Sequence, residues 1–482
     1  MIFRFINKRR ETLLSLPKTF MPDRKVVCIQ GLGFVGAAMA LAVANAKDAK
    51  GQPLYNVIGV DVPNEAGHRK VMSINNGEFP FENNDRKIQQ AQKEAIVNGN
   101  IWAVADDRVF ALADIVVVDI NLDIKYSEKD EPILDLVLFK EAMRTLGSYI
   151  KEGTLVIVET TVPPGTCEKI VKPIIVNEFI RRGLNSDKVL IAHSYERVMP
   201  GENYFDSIVN FWRVYSGINK ESADQCQTFL ENVIRTDKYP LVRLQGTTST
   251  EIAKVLENSY RAVNIAFMEE WGRFAEEIGV DLFEIIDAVR MRPTHSNMRQ
   301  PGFGVGGYCL TKDPYFAPLA AKEIFKLDGM EFVFSTNAVR INNVMPLVSL
   351  NKIEKLLGNN LKGKNLLVLG VSYRQDVGDT RYSPTEIFVR EALERGARVV
   401  CQDPLVSDWI EMNLPVLSKM PDFCGFDAIV FTVQHKEYLD IDFQKVDLDD
   451  GTLIFDANCV LEKEQRQAIK NRERIILASI GR

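Results

Sequence analysis

Four glycines lead up to one cysteine in Pro301-Gly302-Phe303-Gly304-Val305-Gly306-Gly307-Tyr308-Cys309, and Lys312 and Asp313 follow at once. Glycine lets a backbone approach a ligand closely and take positive φ. A thiol at the end of such a loop is a nucleophile if its pKa is lowered; the plainer alternative is a small packing residue, as most cysteines are. Lys254 and Asn258 stand four apart, so on a helix they share one face. A cation and an amide there suit a developing oxyanion, or simply a solvated helix surface. The third constellation is Gly31-Leu32-Gly33-Phe34-Val35-Gly36, a G-x-G-x-x-G. Its glycines serve a tight turn, close approach of a pyrophosphate, and close helix–strand packing, with the anion facing the helix N-terminus. Asp61 lies 25 residues past Gly36, and the segment 48–55 reads as an insertion that lengthens the usual spacing. A carboxylate there accepts from a ribose diol and repels a 2′-phosphate, which favours NAD over NADP. The alternative is a non-binding turn with Asp61 as a strand terminator.

These groups need a scaffold, and the pattern around them supplies one. Short apolar runs at 26–30, 56–61, 115–119, 154–159 and 189–192 alternate with helical stretches such as 37–46 and 133–150. Strands alternating with helices predict βαβ units and a parallel sheet covered on both faces. Near residue 245 the pattern changes. Thr248-x-x-Glu251 has the form of a capping box, and a long helical run follows over 250–278. Alternation returns after Lys362, with strands at 366–370, 398–402, 428–433 and 453–456. The expected fold class is α/β: two Rossmann-like parallel-sheet domains joined by a helical central domain with one long helix. The expected divisions are an N-terminal leader (1–21), a dinucleotide-binding domain (22–245), a helical centre (246–358) and a smaller α/β domain (359–482).

Composition removes several function classes. Lys plus Arg is 59 and Asp plus Glu 65, a net charge of −6, without the basic footprint of a nucleic-acid binder or a polybasic membrane anchor. No apolar run approaches the roughly 20 residues of a membrane helix. Lys8, Arg9 and Arg10 break up the start, which argues against a secretion signal. The seven cysteines are widely spaced with no C-x-x-C; this predicts neither a disulfide framework nor a zinc site, and fits a reducing cytoplasm. Cys28, Cys167, Cys226, Cys401, Cys424 and Cys459 are expected to be packing residues. His68, His193, His295 and His435 are expected to be structural or exposed, and no metal is expected.

Beyond these three constellations, several further stretches occur in order. They are Glu159-Thr160-Thr161-Val162-Pro163-Pro164-Gly165-Thr166; Tyr195-Glu196-Arg197-Val198-Met199-Pro200-Gly201; and Tyr373-Arg374 with Gly378-Asp379-Thr380-Arg381-Tyr382-Ser383-Pro384. With them the chain resembles the UDP-glucose/GDP-mannose dehydrogenases, from Val26 to the C-terminus. The resemblance implies NAD-dependent, four-electron oxidation of a nucleotide sugar's C6 hydroxymethyl to the uronic acid. It implies an NAD domain, a helical centre that dimerises, and a C-terminal domain that holds the UDP-sugar. By the same resemblance Cys309 is the nucleophile of a thiohemiacetal and thioester, Lys254 and Asn258 stabilise charge on the C6 oxygen, and Asp313 takes part in proton transfer. Glu196 matches a carboxylate implicated in aldehyde oxidation and thioester hydrolysis, and Thr161 a hydroxyl near the nicotinamide. Thr160 and Lys312 join Gly31, Gly33, Phe34, Val35, Gly36 and Asp61 as cofactor contacts. Arg292, Gly306 and Arg374 join Glu196, Lys254 and Asn258 as substrate contacts.

The chain departs from the family pattern at three places. Asp119-Ile120-Asn121-Leu122-Asp123 stands where many relatives have a Val-Pro-Thr-Pro-like turn, Arg374 where lysine is frequent, and Asn458 where arginine is frequent. Substrate signals are mixed. The Tyr195-to-Gly201 stretch resembles the Pro-Glu-Arg-Val-Leu-Pro-Gly form of UDP-N-acetylhexosamine oxidisers, whereas Gly306 to Asp313 looks more like the UDP-glucose branch. The competing readings are a two-electron β-hydroxyacid-type dehydrogenase, which has no use for Cys309, and a silent NAD- or UDP-sugar-binding protein. Feeding of surface-polysaccharide synthesis is a further implication of the resemblance.

Overall fold

The computed structural model describes residues 19–81, 83, 85–129 and 131–482; most of the expected leader lies outside them. The chain forms two compact units. The first runs through Val255 and takes back Phe316–Met330; the second holds Leu256–Tyr315 and Glu331–Arg482. The stretch expected as a helical centre is thus divided between them, although its long helix is present.

In the first unit, β1 (Lys25–Gln30), α1 (Phe34–Ala44), β2 (Tyr55–Val60), β3 (Ile101–Val104), β4 (Ile115–Val118), β5 (Leu155–Val158), β6 (Leu190–His193), β7 (Val214–Gly217) and β8 (Val242–Arg243) supply the strands and the first helix. The sheet order is β8-β7-β6-β5-β4-β1-β2-β3. Every pairing is parallel except β6 with β7. Successive strand residues face opposite sides, and both sides are buried: Val27, Ile29, Val57 and Val117 enter one core, Cys28, Ile58, Val116 and Val118 the other. That is why these strands are continuous apolar runs.

Register fixes what stands at the carboxyl edge. Gln30 is level with Val60 and Val118, Val118 with Val158, and Val158 with His193. Gly31, Asp61, Asp119, Glu159 and Ser194 therefore line up just beyond the strand ends. The strand order reverses between β1 and β4, which is the ligand crevice of an open α/β sheet.

The long helix α2 (Thr247–Ile278) starts in the first unit and continues into the second. The second unit adds α3 (Tyr308–Lys312), α4 (Val333–Leu356), β9 (Asn365–Leu369), α5 (Pro384–Glu394), β10 (Arg398–Gln402), β11 (Asp408–Trp409), β12 (Leu414–Leu417), β13 (Ala428–Phe431), β14 (Leu453–Asp456) and β15 (Ile476–Ser479). Its sheet order is β11-β12-β10-β9-β13-β14-β15, with only β11 antiparallel to its neighbour. Again the order reverses beside the first strand, at β9 and β13. Among the described residues no helix is long and apolar enough to cross a membrane.

One buried ion pair ties the first sheet together beyond its ladder. Arg213, just before β7, donates to Glu159 at the end of β5, and both side chains are about 1 % exposed. Leaving Glu159 without its cation would strand a buried charge. Arg213→Ala is expected to lower stability by roughly 3–5 kcal/mol, measured by urea unfolding of the purified protein.

Candidate active site

The glycine turn is shaped by contact as much as by sequence. Gly31 has φ +97°, and a Cβ there would lie 2.5 Å from the Asp119 carbonyl oxygen. A Cβ on Gly36 would lie 1.9 Å from the Gly31 oxygen, so only glycine lets α1 start this close to β1. Around Gly33 a Cβ would meet nothing within 4 Å: this is the open side, where a pyrophosphate has room. Phe34 and Val35 form the first turn of α1, and the Phe34 ring stacks on Phe81 at 4.1 Å between centroids. The rest of α1, Gly36 to Ala44, is buried. Asp61 Oδ2 accepts from the Leu32 N–H at 2.9 Å and from Lys70 Nζ at 2.9 Å. The carboxylate thus faces the glycine turn from the end of β2, where a carboxylate is able to accept from a ribose diol. Turn, open space and carboxylate together fit a dinucleotide.

Farther along the same edge, Thr160 Oγ1 donates to the Val118 and Ile120 carbonyls at 3.1 and 2.8 Å, which locks the end of β5 to that of β4. Thr161 follows it, half-buried. Asp119 is buried beside Glu159, and burial together with that second carboxylate pushes its pKa well up.

Lys254 is 5 % exposed. Its ammonium donates to the Glu196 carbonyl oxygen at 2.9 Å and lies 3.8 Å from the Glu196 carboxylate. That carboxylate also accepts from the Val198 N–H. Behind it, His193 is fully buried with Nδ1 2.8 Å from Thr250 Oγ1, and burial and the Lys254 charge lower its pKa to about 3, leaving it neutral. One turn before Lys254, Glu251 accepts from the Gly165 and Cys167 N–H groups at 2.5 and 2.8 Å and clamps the Pro163-Pro164-Gly165 turn to α2.

The second unit carries the thiol. Cys309 is exposed, on the first turn of α3. The loop before it is tight: a Cβ on Gly306 would sit 2.5 Å from the Tyr382 oxygen, and Gly307 has φ +77°. At the other end of α3, Asp313 is 1 % exposed. Its two oxygens accept from Asn258 Nδ2 at 2.7 Å and Lys312 Nζ at 2.9 Å. Lys312 is itself buried, with its ammonium 5.9 Å from the Tyr308 ring centroid. Beyond β9, Asp403 accepts from the Val371 and Ser372 N–H groups at 2.8 and 3.0 Å. This pins the turn that presents the exposed Arg374 at the carboxyl edge of the second sheet.

The geometry pairs with three family matches: the UDP-glucose/GDP-mannose dehydrogenase family NAD binding domain at residues 25–234, its central domain at 248–343 and its UDP binding domain at 367–463. The chain belongs to the UDP-glucose/GDP-mannose dehydrogenase family. A UDP-N-acetyl-D-mannosamine dehydrogenase of Methanocaldococcus jannaschii is 30% identical over 447 residues, which cover 91% of this chain and 93% of the relative. A solved UDP-N-acetyl-mannosamine dehydrogenase from Pyrococcus horikoshii superposes with TM-score 0.76 at 25% identity, covering 95% of this chain and 99% of that one. A solved NDP-N-acetyl-D-galactosaminuronic acid dehydrogenase from Methanosarcina mazei shares the fold with TM-score 0.76 at 24% identity and 96% coverage of both chains. This member of the family is thus an NAD-dependent nucleotide-sugar dehydrogenase whose product is the uronic acid.

Within the first unit the residues expected from sequence fall into two groups: Gly31, Gly33, Phe34, Val35, Gly36 and Asp61 at the turn, and Glu196 with Lys254 at the buried ammonium. Within the second, Asn258, Lys312 and Asp313 are one hydrogen-bonded set, Gly306 belongs to the loop before Cys309, and Arg374 stands on the β9 edge. Arg292 is exposed ahead of the one-turn helix Pro293–His295, in no such cluster. Two expectations need correction, and one departure from the family pattern gains a structural role. Glu251 caps no helix start; α2 begins at Thr247 and the carboxylate is taken by the Gly165 turn. Cys424 is exposed and Cys459 half-buried rather than packed; only Cys28, Cys167, Cys226 and Cys401 are buried. Asn458, where relatives carry arginine, instead donates to the Thr432 carbonyl at 3.0 Å and accepts from the Phe303 N–H at 3.4 Å, bracing the glycine loop.

Sequence reasoning missed Lys70 on Asp61 and Arg213 on Glu159, for which single residues far apart in the chain give no local signal. It gave Glu251 a capping role in place of the contacts it makes with the Gly165 turn. Burial lifts the Glu251 carboxyl to about 7, against the pull of its two backbone donors. The folded state therefore holds this proton more tightly than the unfolded chain does. Glu251 contributes stability that is present below about pH 4.5 and is lost as pH rises toward 7. In unfolding titrations across that window, wild type is expected to lose stability relative to Glu251→Gln by up to about 3 kcal/mol.

Proposed function

We propose that the chain oxidises a UDP-N-acetylhexosamine, UDP-N-acetylmannosamine first among them, through a covalent Cys309 adduct. The observation that carries the chemistry is the exposed Cys309 thiol at the end of a loop that only glycines can shape. NAD, when bound, takes the hydride in each of two oxidations. The chain's residues do the remainder. Lys254 and Asn258 stabilise negative charge on the C6 oxygen. Asp313, hydrogen-bonded to Asn258, passes on the alcohol proton. The Cys309 thiolate adds to the aldehyde carbon, and the resulting C–S bond breaks when water hydrolyses the thioester. Glu196 guides that water, with Thr161 beside it. Thr160 and Lys312 order the cofactor side, and Gly306, Arg374 and Arg292 the sugar nucleotide. Residues 22–245 act as the NAD domain, 246–358 as the helical centre and 359–482 as the UDP-sugar domain. The N-acetylhexosamine assignment is supported by the Glu196-to-Gly201 stretch and by relatives that carry such names.

Two readouts test this. NADH absorbance with purified UDP-sugars is expected to give two NADH per UDP-N-acetylmannosamine consumed and little turnover with UDP-glucose; a ratio of one returns the two-electron reading. Cys309→Ser is expected to abolish release of the acid, by at least about 10³-fold, and normal acid production by that variant overturns the adduct.

We also propose a cytoplasmic homodimer formed through α2. Phe267, Trp271, Phe274 and Ile278, spaced along that helix, are each about half exposed. A contiguous apolar strip of this kind is characteristic of an interface. Trp271→Asp is expected to convert the dimer to monomer in light-scattering chromatography.

A further inference from the structure

Tyr195 stands where the resembling motif has proline, and its surroundings give it a task. The side chain is 2 % exposed. Lys254 Nζ lies 5.4 Å from its ring centroid and Arg197 Cζ 5.2 Å. Arg197 Nη2 also donates to the Tyr195 hydroxyl at 3.2 Å, while Arg197 Nη1 donates to the Trp212 carbonyl at 2.6 Å. The ring is therefore held at its hydroxyl by an arginine that is itself anchored, and it meets a buried ammonium as well. Both cations are within the distance at which an aromatic face attracts positive charge, and the attraction is larger where water is excluded.

Other groups also face Lys254. Glu196 supplies its carbonyl oxygen at 2.9 Å and its carboxylate at 3.8 Å. His193, from β6, has its ring centroid 6.1 Å from that of Tyr195 and is neutral. On α2 itself, Glu251 is engaged by the Gly165 and Cys167 amides. The Glu196 carboxylate is too distant for a hydrogen bond to the ammonium, and the imidazole carries no charge. To these the tyrosine ring adds an electron-rich face, at a lysine from which water is nearly excluded.

We propose that Tyr195 is a positioning residue for Lys254, holding the ammonium charged and directed at the Glu196 carbonyl, with Arg197 fixing the ring. The proposal rests on the role given to Lys254 above, but it is tested without it. The pH dependence of Lys254 acetylation by trace acetic anhydride, read by peptide mass spectrometry, reports the state of the ammonium whether or not the lysine acts in turnover. Tyr195→Leu and Tyr195→Met, which remove the ring, are each expected to move the Lys254 profile about one pH unit lower. Both are expected to reduce kcat about tenfold, with KM for the UDP-sugar changed less than twofold. Tyr195→Phe, which keeps the ring, is expected to retain the wild-type acetylation profile. An unshifted profile in whichever of the Leu and Met variants remains folded overturns the proposal, as does a Phe variant shifted as far as they are. Full turnover by Lys254→Ala overturns the catalytic reading of that lysine and leaves the acetylation result to decide the role of Tyr195.

Discussion

A guanidinium and a carboxylate removed from water at the ends of β5 and β7 set the terms for the dinucleotide crevice. The Arg213–Glu159 pair is dry, and removing two charges from water is costly unless each fully satisfies the other. That requirement ties the end of β5 to the start of β7 across β6, on the flank of the opening between β1 and β4. Beside the pair lies Asp119, whose carboxyl is pushed well above the usual carboxylate range by burial first and by Glu159 second.

The same demand recurs in the second unit. Asp313 is nearly inaccessible, and its two oxygens are divided between an amide and an ammonium from different positions, Asn258 on α2 and Lys312 on α3. One carboxylate thus aligns two of the other polar side chains that the family resemblance singles out. The glycine loop next to it is set by close packing: Gly306 and Gly307 lie under Tyr373, and Gly302 under Asn458. Where arginine is frequent in the family, the shorter Asn458 side chain thus serves the loop itself, through its amide.

Much of this was legible in the sequence, and the boundary has a physical basis. Apolar runs of strand length, alternating with helices, indicated both parallel sheets because strands buried on two faces have no polar positions to confuse the pattern. Gly36 could be assigned because its constraint, the Gly31 oxygen, lies within six residues, whereas the Asp119 carbonyl that crowds Gly31 is distant in the chain. Lys254 with Asn258, and Lys312 with Asp313, were legible as chain neighbours, and the family resemblance implied roles for them. What escaped was long-range: Lys70 meeting Asp61, Arg213 meeting Glu159, and Tyr195 meeting Lys254. The capping-box pattern at Thr248 and Glu251 failed for the same reason. Donors at Gly165 and Cys167, more than eighty positions away, compete successfully for the carboxylate.

The distribution of the seven sulfurs has a practical corollary for the chemistry of damage and inhibition. Cys28, Cys167, Cys226 and Cys401 have no path to solvent in the folded chain, and burial drives each thiol away from its reactive anion. The half-covered Cys459 is raised to about 11, chiefly by burial. The other surface thiol, Cys424, is kept protonated by partial desolvation and by the carboxylates of Asp449, Asp447 and Asp422. On the role proposed above for the exposed Cys309, a single covalent event at that sulfur would stop turnover while leaving the two sheets intact.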